Sequence, residues 1–425
     1  MKTLHPESLM MSYGYKSASA QGAIKCPVYL TSTFEFESAE EGKAYFEKAY
    51  HLTDENTDQD LGMIYSRINN PNMEILEKRL CLWDQAEDAA VFESGMAAIS
   101  TVFMEFLSPG DVFLYSTPVY GGTGHFITEI LSKFGITGIG FSEEMEIEEL
   151  KTWLLEEGLA DRLAMIYIET PANPTNSLYD IGLGRELADA FSSKEKKVMV
   201  VVDNTYMGPL WQNPLSNGAD LVVYSATKYI AGHSDVIAGA CLGSKELIGR
   251  VKTLRTFMGN MASPWTCWML MRSLETLKVR MEKQAFNAEK IARFLNTHPK
   301  VEKVLYPGLL KPEDGKAFEI FQKQCSSPGA MISILVKGGE AEAFKFINSL
   351  QLVKLAVSLG STESLIQHPA TMTHAGMSPE DKIAYGITEN LVRLSVGVEN
   401  EIDLLNDIEQ ALEKIESPIL VKQIL

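Results

Sequence analysis

Two textures alternate along the chain. From Met73 to about Met261, short apolar runs are separated by segments with helical spacing. Met73–Trp83 repeats Ile75, Leu76 and Leu80 on one helical face. Ala89–Phe92, Asp111–Ser116, Met165–Glu169, Lys197–Val202, Leu221–Tyr224 and Ile237–Leu242 are short runs of the kind strands make. Such alternation predicts an α/β unit. Beyond Met261 the helices lengthen, at Trp265–Lys278 and Met281–Leu295, and strands are expected at Val301–Tyr306, Met331–Val336 and Leu391–Val396. Ahead of both lies an arm. Thr31–Phe36 alternates like an extended segment, residues 39–50 have helical spacing, and His51–Gly62 is a polar acidic loop that reads as a solvated insertion. The expected division is an arm over 1–64, a first α/β domain over 65–262 and a smaller α/β domain over 263–425.

Composition narrows the setting. With 425 residues, 45% hydrophobic and 22% charged, the chain is an ordinary globular protein with ample core. A formal charge of -18 argues against nucleic acid and anionic membranes as partners, because both are bound through Lys and Arg. Five cysteines, odd in number and without a C-x-x-C pair, suit reduced thiols. No apolar leader segment or membrane span is visible, so a cytoplasmic location is expected. His368 and His374 have no third ligand at useful spacing, and no metal site is expected.

The chemistry concentrates in Asp220–Ser234, D-L-V-V-Y-S-A-T-K-Y-I-A-G-H-S. An apolar run delivers Lys228 into a Gly/Ser-rich turn, flanked by Ser225 and Thr227. An ammonium there loses hydration, and a desolvated lysine can form a Schiff base. The two hydroxyls are close enough in sequence to hold a phosphate, so the stretch describes an anchoring site for pyridoxal phosphate (PLP). Other segments agree. Glu93–Ala98 is a small-residue turn opening a helix, an anion site by its free N–H groups. Asp203 closes the cleanest central strand, where a carboxylate needs a partner such as a pyridinium nitrogen. Tyr120 follows a strand's carboxyl end, where ligands bind. Arg393 sits inside an apolar strand, where its charge calls for an anion.

These motifs, in this order, resemble the Cys/Met-metabolism family of PLP-dependent enzymes, which includes methionine γ-lyase, cystathionine γ- and β-lyases, cystathionine γ-synthase and O-acetylhomoserine sulfhydrylase. The resemblance runs from Tyr65 nearly to the C-terminus. It implies the type I, aspartate-aminotransferase-like fold, with a large mostly parallel cofactor domain and a smaller C-terminal one. It implies that Lys228 carries PLP and moves the Cα proton, and that Asp203 holds the ring nitrogen protonated. Gly95 and Met96, with Ser225 and Thr227, would bind the phosphate, and Asn173 the ring hydroxyl oxygen. Tyr120 would stack on the ring and protonate the leaving group. Arg393 and Ser358 would bind the carboxylate of a small amino-acid substrate. Tyr65 and Arg67 (Y-x-R) would reach a neighbouring subunit's phosphate in a homotetramer of two catalytic dimers. The implied reaction is γ-elimination from methionine or cystathionine, giving 2-oxobutyrate and ammonia, with γ-replacement as the alternative. Gly122, where methionine γ-lyases typically carry cysteine, resembles the cystathionine enzymes instead, whereas His368-Pro369 and Leu391–Val398 resemble methionine γ-lyase. With Lys228, Asp203, Tyr120 and Arg393 all present, a PLP-binding protein without turnover is disfavoured.

Overall fold

A computed structural model describes residues 4–49 and 62–415. The acidic loop expected at His51–Gly62 lies, apart from Gly62, outside the described residues. Among these residues twelve strands form two sheets. The larger contains β1 (Asp88–Phe92), β2 (Val112–Ser116), β3 (Thr137–Phe141), β4 (Leu163–Glu169), β5 (Met199–Asp203), β6 (Leu221–Tyr224) and β7 (Gly239–Gly243). Its order is β1-β7-β6-β5-β4-β2-β3, parallel throughout except where β7 pairs antiparallel with β1 and β6. The smaller sheet contains β8 (Val301–Leu305), β9 (Met331–Val336), β10 (Lys354–Leu355), β11 (Leu365–Gln367) and β12 (Leu391–Ser395), in the order β10-β11-β12-β9-β8.

The apolar runs of β4 and β5 are explained by burial on both faces. Successive side chains of a strand point to opposite faces. Met165, Tyr167, Met199 and Val201 join the core under the helix Gly95–Phe106. Ile166, Ile168, Val200 and Val202 join the core under the helices Ile147–Glu156 and Ile181–Phe191. Each such side chain, fully buried, contributes about 1.5–3 kcal/mol before chain entropy is counted. Parallel pairing requires crossover connections, and these supply the helices on both faces.

Two expectations shift. The helices expected at Trp265–Lys278 and Met281–Leu295 form as Pro264–Leu274 and Leu277–Asn296. Between them Thr276 leaves helical geometry, and its hydroxyl donates to the Ser273 carbonyl. The strand β3, T-G-I-G-F, carries no apolar run because it is a half-exposed edge. Its Gly138 is required by close packing, since a Cβ there would lie 2.7 Å from the Phe113 ring.

The arm packs partly on its own chain. The Tyr29 N–H donates to Asn72 Oδ1 at 2.8 Å, and Trp268 Nε1 donates to the Cys26 carbonyl at 2.9 Å. What matters for chemistry is the carboxyl edge of β4, β5 and β6. Glu169 stands in register with Asp203, and Asp203 with Val223, so the residues after these strands gather along one edge.

Candidate active site

A cavity of about 330 Å³ opens at that edge and is roofed by residues of the smaller sheet's loops. Lys228 enters it from the turn after β6. Its Nζ donates to Ser358 Oγ at 2.8 Å. Burial, reinforced by the charge of Arg393, lowers the lysine to about 8. Ser358 is held at φ 107°, a left-handed conformation that costs a non-glycine residue on the order of 1–3 kcal/mol. In that conformation its Oγ meets Lys228 while its carbonyl accepts from Arg393 Nη2 at 2.7 Å.

Arg393 lies in β12, between β11 and β9, and is buried. Its Nη1 donates to Asn173 Oδ1 at 3.0 Å. Its Nε has no hydrogen-bond partner among the described residues, and no carboxylate there pairs with it. Asn173 Oδ1 also accepts from the Tyr206 hydroxyl at 3.2 Å. With the oxygen claimed twice, the amide nitrogen is the end left to donate elsewhere.

Asp203 closes β5. Its Oδ1 accepts from the Thr205 N–H at 2.9 Å, and its Oδ2 from the Tyr167 hydroxyl at 3.3 Å. Burial raises its pKa above the ordinary carboxylate value, as expected of a carboxylate awaiting a positive partner. Tyr120 is partly exposed beside the cavity, and its N–H donates to Glu169 Oε2 at 2.8 Å.

At the other end of the cavity, Gly95 and Met96 open the helix Gly95–Phe106, capped by Ser94 Oγ accepting from the Ala97 N–H at 3.0 Å. Only glycine fits at 95, because a Cβ would come within 2.8 Å of the Ser225 Cβ. The Ser225 N–H donates to Thr205 Oγ1. The Thr227 hydroxyl is already engaged, donating to the Ala238 carbonyl at 3.2 Å and accepting from its N–H at 3.0 Å. To donate to a phosphate it must release that carbonyl.

Tyr65 and Arg67 do not line this cavity. Arg67 Nη1 donates to the Thr256 carbonyl at 2.7 Å, and Tyr65 is 42% exposed. His368 is committed to Thr371 and to the Glu389 carbonyl. The cavity also contains residues without an assigned part in the sequence reading: Glu169, Thr205, Tyr206, Ile237, Val357 and Thr373. For Glu169 a signal existed, an acidic residue closing an apolar strand just as Asp203 does.

The sequence profile of the Cys/Met metabolism PLP-dependent enzymes matches residues 7–413. The chain belongs to this family. It is 40% identical over 396 residues to an L-methionine gamma-lyase of Fusobacterium nucleatum subsp. polymorphum, covering 93% of this chain and 94% of that one. It is 41% identical over 356 residues to the cystathionine gamma-lyase of Mus musculus, covering 84% and 86%. Among solved structures it is similar to the cystathionine gamma synthase of Xanthomonas oryzae pv. oryzae, with a TM-score of 0.85, 31% identity and coverage of 97% and 99%. The fold is therefore that of the PLP-dependent transsulfuration enzymes, and PLP is the cofactor.

The residues present suit that cofactor. Gly95, by lacking a Cβ, lets a helix N-terminus close on Ser225, which brings free backbone N–H groups and the Ser225 and Thr227 hydroxyls to one end of the cavity, as a phosphate would require. Asp203 offers a buried carboxylate to a ring nitrogen, Asn173 a free donor to a ring oxygen, and Lys228 a desolvated amine.

Proposed function

We propose that the protein eliminates the γ-substituent of a sulfur-containing amino acid, methionine foremost, releasing 2-oxobutyrate, ammonia and a thiol. The observation that carries this reading is the division of the cavity wall. Its ionisable groups, Lys228, Asp203, Glu169 and Arg393, lie at the cofactor and α-amino-acid end. Elsewhere, beside hydroxyl and amide groups such as Tyr206 and Thr373, the wall carries an apolar set, Met96, Ile99, Ile237, Val357 and Leu359. An S-methyl group suits such a wall. The distal ammonium and carboxylate of cystathionine would find no ionic partner on it among the described residues.

When bound, PLP supplies an electron sink for charge developing at the substrate's Cα. The remaining work falls to the chain. Asp203 keeps the ring nitrogen protonated, and Asn173 fixes the ring oxygen. Arg393 binds the α-carboxylate through its planar fork of donors. Lys228 moves the Cα proton, with its Nζ aimed by Ser358 Oγ. Its lowered basicity leaves a useful unprotonated fraction near neutrality. Tyr120 covers the ring, and its hydroxyl protonates the departing sulfur. Gly95, Met96, Ser225 and Thr227 bind the phosphate. Tyr65 and Arg67 bind the phosphate of a neighbouring subunit, which their exposure and their absence from the lining of their own cavity support. The reading extends to a homotetramer of two catalytic dimers and to a cytoplasmic location. The free state of all five cysteines supports the latter, and no helix among the described residues is long and apolar enough to cross a membrane. An arm, a cofactor domain and a C-terminal domain, divided near 64/65 and 262/263, complete it.

A second reading, γ-replacement, draws on Gly122. A Cβ there would lie 2.6 Å from Tyr120 Cε1, so glycine lets the Tyr120 ring lie against the backbone at 122, where a cysteine side chain would displace it. The deciding experiment incubates the holoenzyme separately with methionine, cystathionine, homocysteine and O-acetylhomoserine, and identifies 2-oxo acids by mass spectrometry. Release of 2-oxobutyrate from methionine without added thiol is expected. Pyruvate from cystathionine, or thioether formation only after cysteine is added, would assign another reaction.

A further inference from the structure

Glu169 has no part in the chemistry above, yet it closes β4 beside the cavity and is only 5% exposed. Its backbone and side chain together span the segment that carries Tyr120. The Glu169 N–H donates to Ser116 Oγ at 2.8 Å, at the end of β2, and Glu169 Oε2 accepts from the Tyr120 N–H at 2.8 Å. Residues 117–120 are thereby tied at both ends to one residue of the neighbouring strand.

Its charge state follows from its neighbours. Glu169 stands in register with Asp203, so two carboxyl groups end adjacent strands. Among the described residues no lysine or arginine pairs with either. The groups that act on Glu169 are Asp203 on β5, Tyr167 on β4 and the Thr123 hydroxyl, and Tyr206 lies near enough to be influenced by it. A cofactor ring nitrogen brings one positive charge, enough for one carboxylate. Asp203 is the better candidate for ionisation, since the Thr205 N–H and the Tyr167 hydroxyl donate to it. Two adjacent buried carboxylates cannot both ionise cheaply. Burial first, and Asp203 second, hold Glu169 toward its protonated form. Its Oε1 is buried without a hydrogen bond among the described residues, and so is the oxygen free to carry that proton.

We propose that Glu169 is a positioning residue that sets the Tyr120 ring through the Tyr120 backbone, and that it acts as an uncharged acid. The inference rests on the reading of Tyr120 as the residue that covers the cofactor ring. An aromatic ring displaced by about 1 Å can cost on the order of 100-fold in rate, so the contact has a measurable consequence.

The test uses the holoenzyme. An infrared difference spectrum between wild type and Glu169→Gln should contain the carbonyl band of a protonated carboxylic acid in the wild type only. The induced circular dichroism of bound PLP, which reports ring environment without any substrate, should change in Glu169→Ala and stay close to wild type in Glu169→Gln. On the best substrate, Glu169→Ala should lose roughly 30-fold in kcat/KM, and Glu169→Gln should recover to within about fivefold. Absence of the acid band, or a glutamine variant as impaired as the alanine one, would overturn the proposal. If Glu169→Ala does not fold, the infrared band and the dichroism of Glu169→Gln decide alone. Failure of the γ-elimination reading would instead show in the wild-type products, whatever the dichroism does.

Discussion

Replacing Ser358 by alanine removes one atom that matters, the Oγ that accepts from Lys228 Nζ at 2.8 Å. It leaves the Ser358 carbonyl free to keep its bond to Arg393, so substrate-carboxylate binding should survive. A hydrogen bond to a charged group contributes about 1.5–3 kcal/mol, and each 1.4 kcal/mol is tenfold in rate, so kcat should fall roughly 10- to 100-fold while KM changes little. Ser358→Gly removes the same atom but also relieves the φ of 107°. Relief of about 1–3 kcal/mol, less about 0.5–1 kcal/mol for glycine's added chain entropy, should leave the glycine variant the more stable of the two. In a chain of this size that is a rise of only about 1–2 °C in thermal midpoint over Ser358→Ala. Steady-state kinetics and calorimetry on the same preparations separate the two effects. Wild-type kcat in Ser358→Ala would refute the reasoning that Ser358 aims the lysine. A large rise in KM would show that Ser358 acts through Arg393 instead.

Three further outcomes follow from the geometry. Lys228 is depressed from its ordinary value to about 8, so the unfolded chain binds more protons between pH 8 and the lysine's ordinary range, and the destabilisation from burying it is full below pH 8 and fades as pH rises. Lys228→Met apoprotein should therefore be more stable than wild-type apoprotein at pH 7, by at most about 3 kcal/mol, with the gap closing toward pH 10 in denaturant titrations. Gly95→Ala places a methyl within 2.8 Å of the Ser225 Cβ, and should cost about 1–3 kcal/mol and weaken PLP binding, measured by equilibrium titration of apoprotein. Arg67→Ala and Lys228→Ala, each inactive alone, should regain activity when dissociated and reassembled together, whereas no recovery would confine each site to one chain.

The sequence carried much of this because burial and chemistry coincide in short segments. Lys197–Val202 announces a strand buried on both faces, and Asp203 at its end has little reason to be there except a ligand. Lys228 and Arg393 are conspicuous for the same reason, charges among apolar neighbours. What escaped depends on contacts between distant segments. β3 has no apolar run, and its glycines make sense only against distant neighbours, Gly138 against Phe113 of β2 and Ile127, Gly140 against Thr117 and Tyr115. The Thr227 hydroxyl reads as a phosphate ligand in sequence, yet pairing with Ala238 occupies it until it is redirected. The left-handed Ser358 is set by what its two ends hold, Lys228 and Arg393, from opposite sheets. Glu169 could have been noticed as a second acidic strand end, but its partner, the Tyr120 backbone, is 49 residues away.

The most direct measurement follows methionine alone, with no added thiol, and counts 2-oxobutyrate against thiol released by wild type and by Lys228→Ala. Equal amounts of the two products from wild type, and none from the variant, are what γ-elimination at this site requires. Full activity in Lys228→Ala, or wild-type silence until a second thiol is supplied, would contradict it.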